Sequence, residues 1–291
     1  MPKAKIGVIG GTGLYDIEGL TGIEEVDIDT PFGKPSDIIT VGGLEGVSVA
    51  FLPRHGRGHR ISPTELPTRA NIYALKSLGV ESIIAICSAG SFKKEVKPGD
   101  LLIPDQLIDR TRSRVNTFFS DGIVAHVAFG EPFCPVLSRT LYECARKAGA
   151  SVHPRGTLVV MEGSAFSTRA ESRLYRSWGA DIIGMTALPE AKLAREAEIC
   201  YAVVGCVTDY DSWWERGEPV TVDIILDTLH KNVDTARKII KLAASRIPEK
   251  RECGCVAALE GAIVTDPRFI PTEQKKKLNL LIGKYIEDRE A

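Results

Sequence analysis

The sequence contains no long hydrophobic run. Its longest apolar stretches, Ile83–Cys87 and Ala202–Val207, fall far below the ~18 residues that a membrane-crossing helix needs. It carries almost no net charge, with 37 Lys+Arg against 38 Asp+Glu, and so lacks the basic excess that a nucleic-acid partner demands. It has no internal repeat and no low-complexity tract, which sets aside fibrous, solenoid and disordered classes. The opening residues, Met1-Pro2-Lys3-Ala4-Lys5-Ile6, show no signal-peptide apolar region. The expectation is a cytoplasmic protein with neither a membrane nor a nucleic-acid partner.

Metal-ligand spacing is missing as well. Seven cysteines (Cys87, Cys134, Cys144, Cys200, Cys206, Cys253, Cys255) make an odd count, and Cys253-Gly254-Cys255 is their one close pair. No metal is expected, and most of these thiols read as small buried hydrophobes. The Cys-Gly-Cys pair is the place to look for a disulfide, a bond that in a cytoplasm would mark a heat-adapted source.

What is present reads as an α/β chain. Apolar, β-branched runs at Lys5–Ile9, Val47–Leu52, Ser82–Cys87, Thr157–Met161, Asp181–Gly184 and Cys200–Thr208 predict strands. Helical patterns lie at Thr68–Leu78, Pro135–Ala148, Thr168–Trp178 and Pro189–Glu198, the third opening on a capping box, Thr168-Arg169-Ala170-Glu171. A long helix from Thr221 to Ser245 keeps Val222, Ile225, Leu226, Leu229, Val233, Ala236 and Ile240 on one face. This alternation predicts one domain, residues 1–246, with a central mixed, largely parallel sheet flanked by helices. Residues 247–291, with the Cys-Gly-Cys motif and a helix over Thr272–Ile286, read as a helical appendage.

Four places could carry chemistry. Gly10-Gly11-Thr12-Gly13 follows a strand and can cradle an anion on backbone N–H groups. A dinucleotide reading needs a helix directly after the glycines, and Leu14–Gly22 is too short and glycine-broken for one; a plain turn stays open. Pro53-Arg54-His55-Gly56-Arg57-Gly58-His59-Arg60 ends another strand with cations among glycines, suited to a phosphate-like anion or to a solvated face. Cys87-Ser88-Ala89-Gly90-Ser91 reads as a third turn, lacking the leading glycine of a nucleophile elbow and better suited to donate to an anion. Thr208-Asp209-Tyr210-Asp211 leaves the very apolar last strand, where desolvation can raise a carboxyl pKa toward general-acid use; an Asp-rich turn is the plain alternative.

Taken in order, Gly10-Gly11-Thr12-Gly13, Arg54-His55-Gly56 and Thr208-Asp209-Tyr210-Asp211 resemble a family. With Glu131-Pro132-Phe133-Cys134-Pro135, Glu162-Gly163, Phe166–Ser172, Gly184-Met185-Thr186 and Pro189-Glu190, they are similar over residues 5–245 to the trimeric purine nucleoside phosphorylases, and within them to members acting on 5′-methylthioadenosine. The resemblance implies attack of inorganic phosphate on ribose C1′, with adenine and 5-methylthioribose 1-phosphate as products and no cofactor. It places Thr12, Arg54, His55, Cys87, Ser88 and Thr186 around phosphate. Met185 would lie under the ribose, Phe166 and Ser167 beside the base, Asp209 at purine N7 as proton donor, and Asp211 near the 6-amino group. His126, Val222, Ile225 and Leu226 would form the 5′ pocket, in a homotrimer or a dimer of trimers.

An ionised carboxylate only accepts hydrogen bonds, so Asp211 suits a 6-NH₂ purine. Relatives acting on 6-oxopurines carry Asn in place of Asp209 and Glu in place of Ser167. Ser164-Ala165 departs from the family's Pro and larger residue, and Cys87-Ser88 from its frequent Thr-Ala. The Cys-Gly-Cys tail resembles that of some archaeal members. The alternatives are a broader purine nucleoside phosphorylase acting on adenosine, inosine or guanosine, and a non-catalytic nucleoside-binding protein.

Overall fold

Strands and helices alternate along the computed structural model, which describes residues 2–11, 14, 19–214 and 222–286, with only the helical backbone for 222–231. Among these residues the strands are β1 (Ile6–Gly10), β2 (Thr21–Val26), β3 (Ile39–Leu44), β4 (Val47–Pro53), β5 (Ser82–Ser91), β6 (Leu101–Leu102), β7 (Gln106–Arg110), β8 (Val152–His153), β9 (Thr157–Met161), β10 (Ile182–Gly184) and β11 (Cys200–Asp209). The α-helices are α1 (Thr68–Ser77), α2 (Pro135–Lys147), α3 (Arg169–Ser177), α4 (Ala187–Glu196), α5 (Val222–Ala244), α6 (Thr272–Lys277) and α7 (Asn279–Ile286). No helix of the described residues is long and apolar enough to cross a membrane.

One mixed sheet joins the strands in the order β2-β3-β4-β1-β5-β10-β9-β7, and β5 forks. Its first half lies between β1 and β11, both parallel to it, while Gly90 and Ser91 pair antiparallel with Ile183 and Ile182 of β10. The segment Cys87–Ser91 is therefore strand, not the turn its Ser and Gly suggest. Neighbours on both sides satisfy its backbone groups, which overrides weak local propensity.

Side chains of β11 alternate between two cores. Tyr201, Val203 and Val207 join Ile72 and Leu75 of α1 and Ala191 and Ala194 of α4. Ala202, Val204 and Cys206 join Leu137 and Leu141 of α2 and Ala236 and Ile240 of α5. A strand covered on both faces reads as one apolar run, which is why β5 and β11 were legible.

The capping box of α3 forms as its spacing predicts: Thr168 accepts from the Glu171 N–H, and Glu171 accepts from that of Thr168. The final helix breaks at Leu278 into α6 and α7. The tail lies on the sheet's α1/α4 side, with Leu259, Ile263, Ile270, Leu278, Leu281 and Ile282 in that core. Glu198 anchors it, accepting from the Leu259 N–H at 3.2 Å and from Lys284 Nζ at 2.7 Å. All seven cysteines are free thiols, those of the Cys-Gly-Cys pair included.

Candidate active site

Because β1, β4, β5 and β11 run parallel, their carboxyl ends lie on one side of the sheet, where open α/β sheets hold ligands. Arg54 follows β4 and is 2% exposed. Its Nη1 donates to the Ile86 carbonyl at 2.8 Å and its Nη2 to the Ile9 carbonyl at 3.3 Å, while Nε and Nη2 bind the two Glu190 oxygens at 2.6 and 3.2 Å. Four of its five N–H groups are thus engaged by these oxygens, and the guanidinium also bonds the Cys87 side chain. The residue is a buried cation tying β1 to β5 rather than an open fork. Tyr201 Oη completes the cluster by donating to Glu190 at 2.8 Å.

His55 stands beside it. Nδ1 is 2.9 Å from the Ile61 carbonyl, which can only accept, so Nδ1 carries the proton and Nε2 of the neutral ring is a bare acceptor. Burial, aided by the Arg54 charge, lowers its pKa to about 4. The ring stacks on His59 at 4.3 Å between centroids.

Between β5 and β10, Cys87, Ser88, Met185 and Thr186 line one small cavity. Thr186 Oγ1 donates to Cys87 Sγ at 3.2 Å, and burial pushes the thiol pKa up, so it stays neutral. Met185 lies over Gly163: a Cβ there would stand 2.7 Å from Met185 Sδ, and the glycine's φ of +79° is one that side chains rarely tolerate.

The register of β11 on β5 slips between Val207 and Asp209, a bulge that brings Asp209 opposite Gly90. Asp209 Oδ2 accepts from the Asp211 N–H at 2.9 Å, and Oδ1 lies 2.6 Å from Thr208 Oγ1. Thr208 Oγ1 is also 3.3 Å from the Ala89 carbonyl. With one hydroxyl proton for two acceptors, Thr208 turns to Ala89 and accepts from Asp209 whenever the acid is protonated. Burial raises the Asp209 pKa, and the neighbouring Asp211 charge adds to the effect. Asp211 is itself buried, its pKa also raised by burial, and Ser167 Oγ lies 2.8 Å from both its carboxylate oxygens. Opposite them Gly90 leaves the space a Cβ would fill at 3.1 Å from Asp209 Oδ2.

Of the residues singled out in the sequence, these bonds and contacts bring Arg54 with the β5 end, Cys87 and Ser88 with Met185 and Thr186, and Asp209 with Asp211 and Ser167. Phe166 is 41% exposed next to Ser167. His126 is elsewhere: its N–H donates to the Ala262 carbonyl of the tail. Among the described residues no hydrogen bond or ring contact links its imidazole to the others. Thr12 lies outside the described residues, as do the side chains of Val222, Ile225 and Leu226 on the first turns of α5.

Two structuring charges went unassigned in the sequence. Glu190 entered only as part of the Pro189-Glu190 motif, without a role, and only the fold reveals its partner. Arg114 sat in a stretch without periodicity. Its Nε binds Glu162 at 2.9 Å and its Nη1 the Met185 and Leu188 carbonyls at 2.5 and 2.6 Å, clamping the end of β9 to the Met185 turn.

The chain is similar to known proteins over its whole length. The model of the phosphorylase superfamily matches residues 5–245. An S-methyl-5′-thioadenosine phosphorylase of Geobacter sulfurreducens is 55% identical over 282 residues, 97% of this chain and 99% of its own. A solved methylthioadenosine phosphorylase from an Antarctic soil metagenomic library superposes with a TM-score of 0.91 at 47% identity, covering 97% of this chain and 99% of that one. One from Schistosoma mansoni, in complex with adenine, gives 0.82 at 35% identity over 90% of this chain and 99% of its own.

Proposed function

The chain belongs to the phosphorylase superfamily, and from that premise we propose that it cleaves 5′-methylthioadenosine with inorganic phosphate, releasing adenine and 5-methylthioribose 1-phosphate. The observation that carries this reading is the 55% identity to an S-methyl-5′-thioadenosine phosphorylase, end to end. Two features of the geometry support it: Ser88, Met185 and Thr186 share one small cavity, and Asp209 is a buried acid of raised pKa.

In this reading phosphate meets Ser88, Thr186, His55 and Arg54, with Thr12 from the glycine turn. As the bond from C1′ to N9 stretches, positive charge grows on the ribose and negative charge on the base. Phosphate faces the first, and Asp209, neutral because it is buried, gives its proton to N7 and relieves the second. Asp211, oriented by Ser167, accepts from the 6-amino group. Met185 and Phe166 flank ribose and base. Catalysis is positioning plus electrostatic stabilisation, with phosphate as second substrate and no cofactor.

His126, Val222, Ile225 and Leu226 complete the 5′ pocket. The family resemblance implies a homotrimer or dimer of trimers, in which a neighbouring copy closes this pocket. The free thiols suit the cytoplasm, which keeps cysteines reduced.

The test is release of free base from 5′-methylthioadenosine with and without phosphate, beside inosine. Adenine appearing only with phosphate, with little hypoxanthine from inosine, is the expected result. Equal turnover of inosine replaces it with a broader purine nucleoside phosphorylase, and tight binding without turnover replaces the enzyme with a binding protein.

A further inference from the structure

The sulfurs of Cys134, Cys200, Cys253 and Cys255 all lie within 4.8 Å of one another, although they come from three distant parts of the chain. Cys134 is the N-cap of α2, Cys200 opens β11, and Cys253 and Cys255 flank Gly254 at a 3₁₀ turn, Gly254–Ala257, in the tail. Cys134, Cys200 and Cys255 are buried and Cys253 half-buried. The Cys200 and Cys253 sulfurs are 3.3 Å apart, well beyond the ~2.05 Å of a disulfide.

We propose that these four cysteines bind one divalent metal ion of the zinc class. Four thiolates set tetrahedrally ~2.3 Å from zinc stand about 3.8 Å from each other, which falls inside the observed spread. An all-sulfur set selects zinc-like ions over magnesium or calcium, which take oxygen. Binding forms four metal–sulfur bonds and releases the thiol protons to solvent. The 13-residue helix α2 points its N-terminus at the cluster through Cys134, and its dipole offsets the charge of a tetrathiolate centre.

The remaining cysteines behave differently. Cys206 sits among Leu, Val and Ala side chains as an apolar filler, Cys144 accepts from Arg246 Nη1 at 3.7 Å, and Cys87 lines the small cavity. Linear spacing gave no hint of a ligand set, because 66 residues separate Cys134 from Cys200 and 53 separate Cys200 from Cys253. With four protein ligands the ion has no open position, so its work is structural. It clips the start of the tail to the first residue of β11 and the first turn of α2, holding residues such as Leu259 and Ile263 on the core.

The test uses the full chain, purified under reducing conditions without chelator, with elemental analysis. About one zinc per chain is expected for a closed four-cysteine site, and little in the double variant C253S/C255S. That variant keeps its phosphorolysis at moderate temperature, because neither residue belongs to the catalytic machinery, and inactivates at a lower temperature. Should it fail to fold, the wild-type chain stripped by chelator is titrated with cobalt(II). The thiolate-to-cobalt charge-transfer band and the intense visible bands of tetrahedral cobalt are then expected at one equivalent. Disulfides among these cysteines in the unreduced peptide map, or four reactive thiols with neither zinc nor a cobalt spectrum, overturn the proposal.

Discussion

Glu190 grips the Arg54 guanidinium with both carboxylate oxygens, at 2.6 and 3.2 Å, across 136 residues of chain, and both side chains are almost sealed from water. Removing one partner of such a pair strands the other charge, which costs about 3–5 kcal/mol. Glu190→Ala is expected to lower the unfolding free energy by that amount in urea titrations. Glu190→Gln, which keeps one acceptor, falls between it and the parent. A loss near zero for Glu190→Ala means that water or a counter-charge reaches Arg54.

Asp209 is expected to act as an acid only while it holds its proton. Asp209→Asn lowers kcat by about 10²–10⁴, the usual contribution of a positioned acid, with an unchanged circular dichroism spectrum. Burial raises the pKa, so the protonated form survives to higher pH than an ordinary Asp would allow. Activity falls on the alkaline side as the group ionises, and in Asp209→Asn that limb of the pH profile disappears. An alkaline limb that persists in the variant assigns it to another group.

His55 is expected to meet phosphate as a hydrogen-bond acceptor. The free ring is neutral above about pH 4 and presents a bare Nε2. The phosphate dianion keeps one P–OH, which can donate to that nitrogen, so binding above neutral pH needs no added proton. Calorimetry of phosphate binding in buffers of differing ionisation enthalpy is expected to give heats that do not depend on the buffer, with weaker binding in His55→Leu. Net proton uptake, or unchanged affinity in the variant, overturns this role.

Glu196 makes the fold pH-sensitive away from this site. Burial raises its pKa from 4.5 to about 7, against the opposing bonds from Thr117 Oγ1 and the Phe118 N–H. Between those values the native state holds a proton that the unfolded chain has lost. Its stabilising contribution is therefore complete below pH 4.5 and is lost as pH rises to about 7. The gap is worth about 3 kcal/mol. Unfolding free energies measured from pH 4.5 to 7.5 are expected to fall by this share, and Glu196→Gln flattens the slope.

The sequence exposed what depends on local pattern. β5 and β11 showed as apolar runs because both faces are covered, and α3 showed through its capping box. β2 and β3 went unseen: five of the six β2 residues are exposed, and β3 carries Gly42-Gly43 in its interior. β6 and β8 are two residues each, too short for any period. Within the site, glycine turns and the Asp pair stood out because their residue types are rare beside apolar strands. Glu190, Arg114 and the four converging cysteines stayed hidden because each gains its meaning from a partner 48 or more residues away.

The forked pairing of β5 bears on how the enzyme would fail under heat. Ser88 and the Gly90 that faces Asp209 ride on a strand bonded along its flanks to β1, β11 and β10. Amides in such a strand exchange with deuterium only when the whole domain opens, whereas frayed termini exchange through local openings. The wall that carries Ser88 and Gly90 is thus expected to be the last part of the molecule to come apart. Loss of turnover on heating should coincide with global melting, and partial unfolding at the periphery should leave the chemistry running.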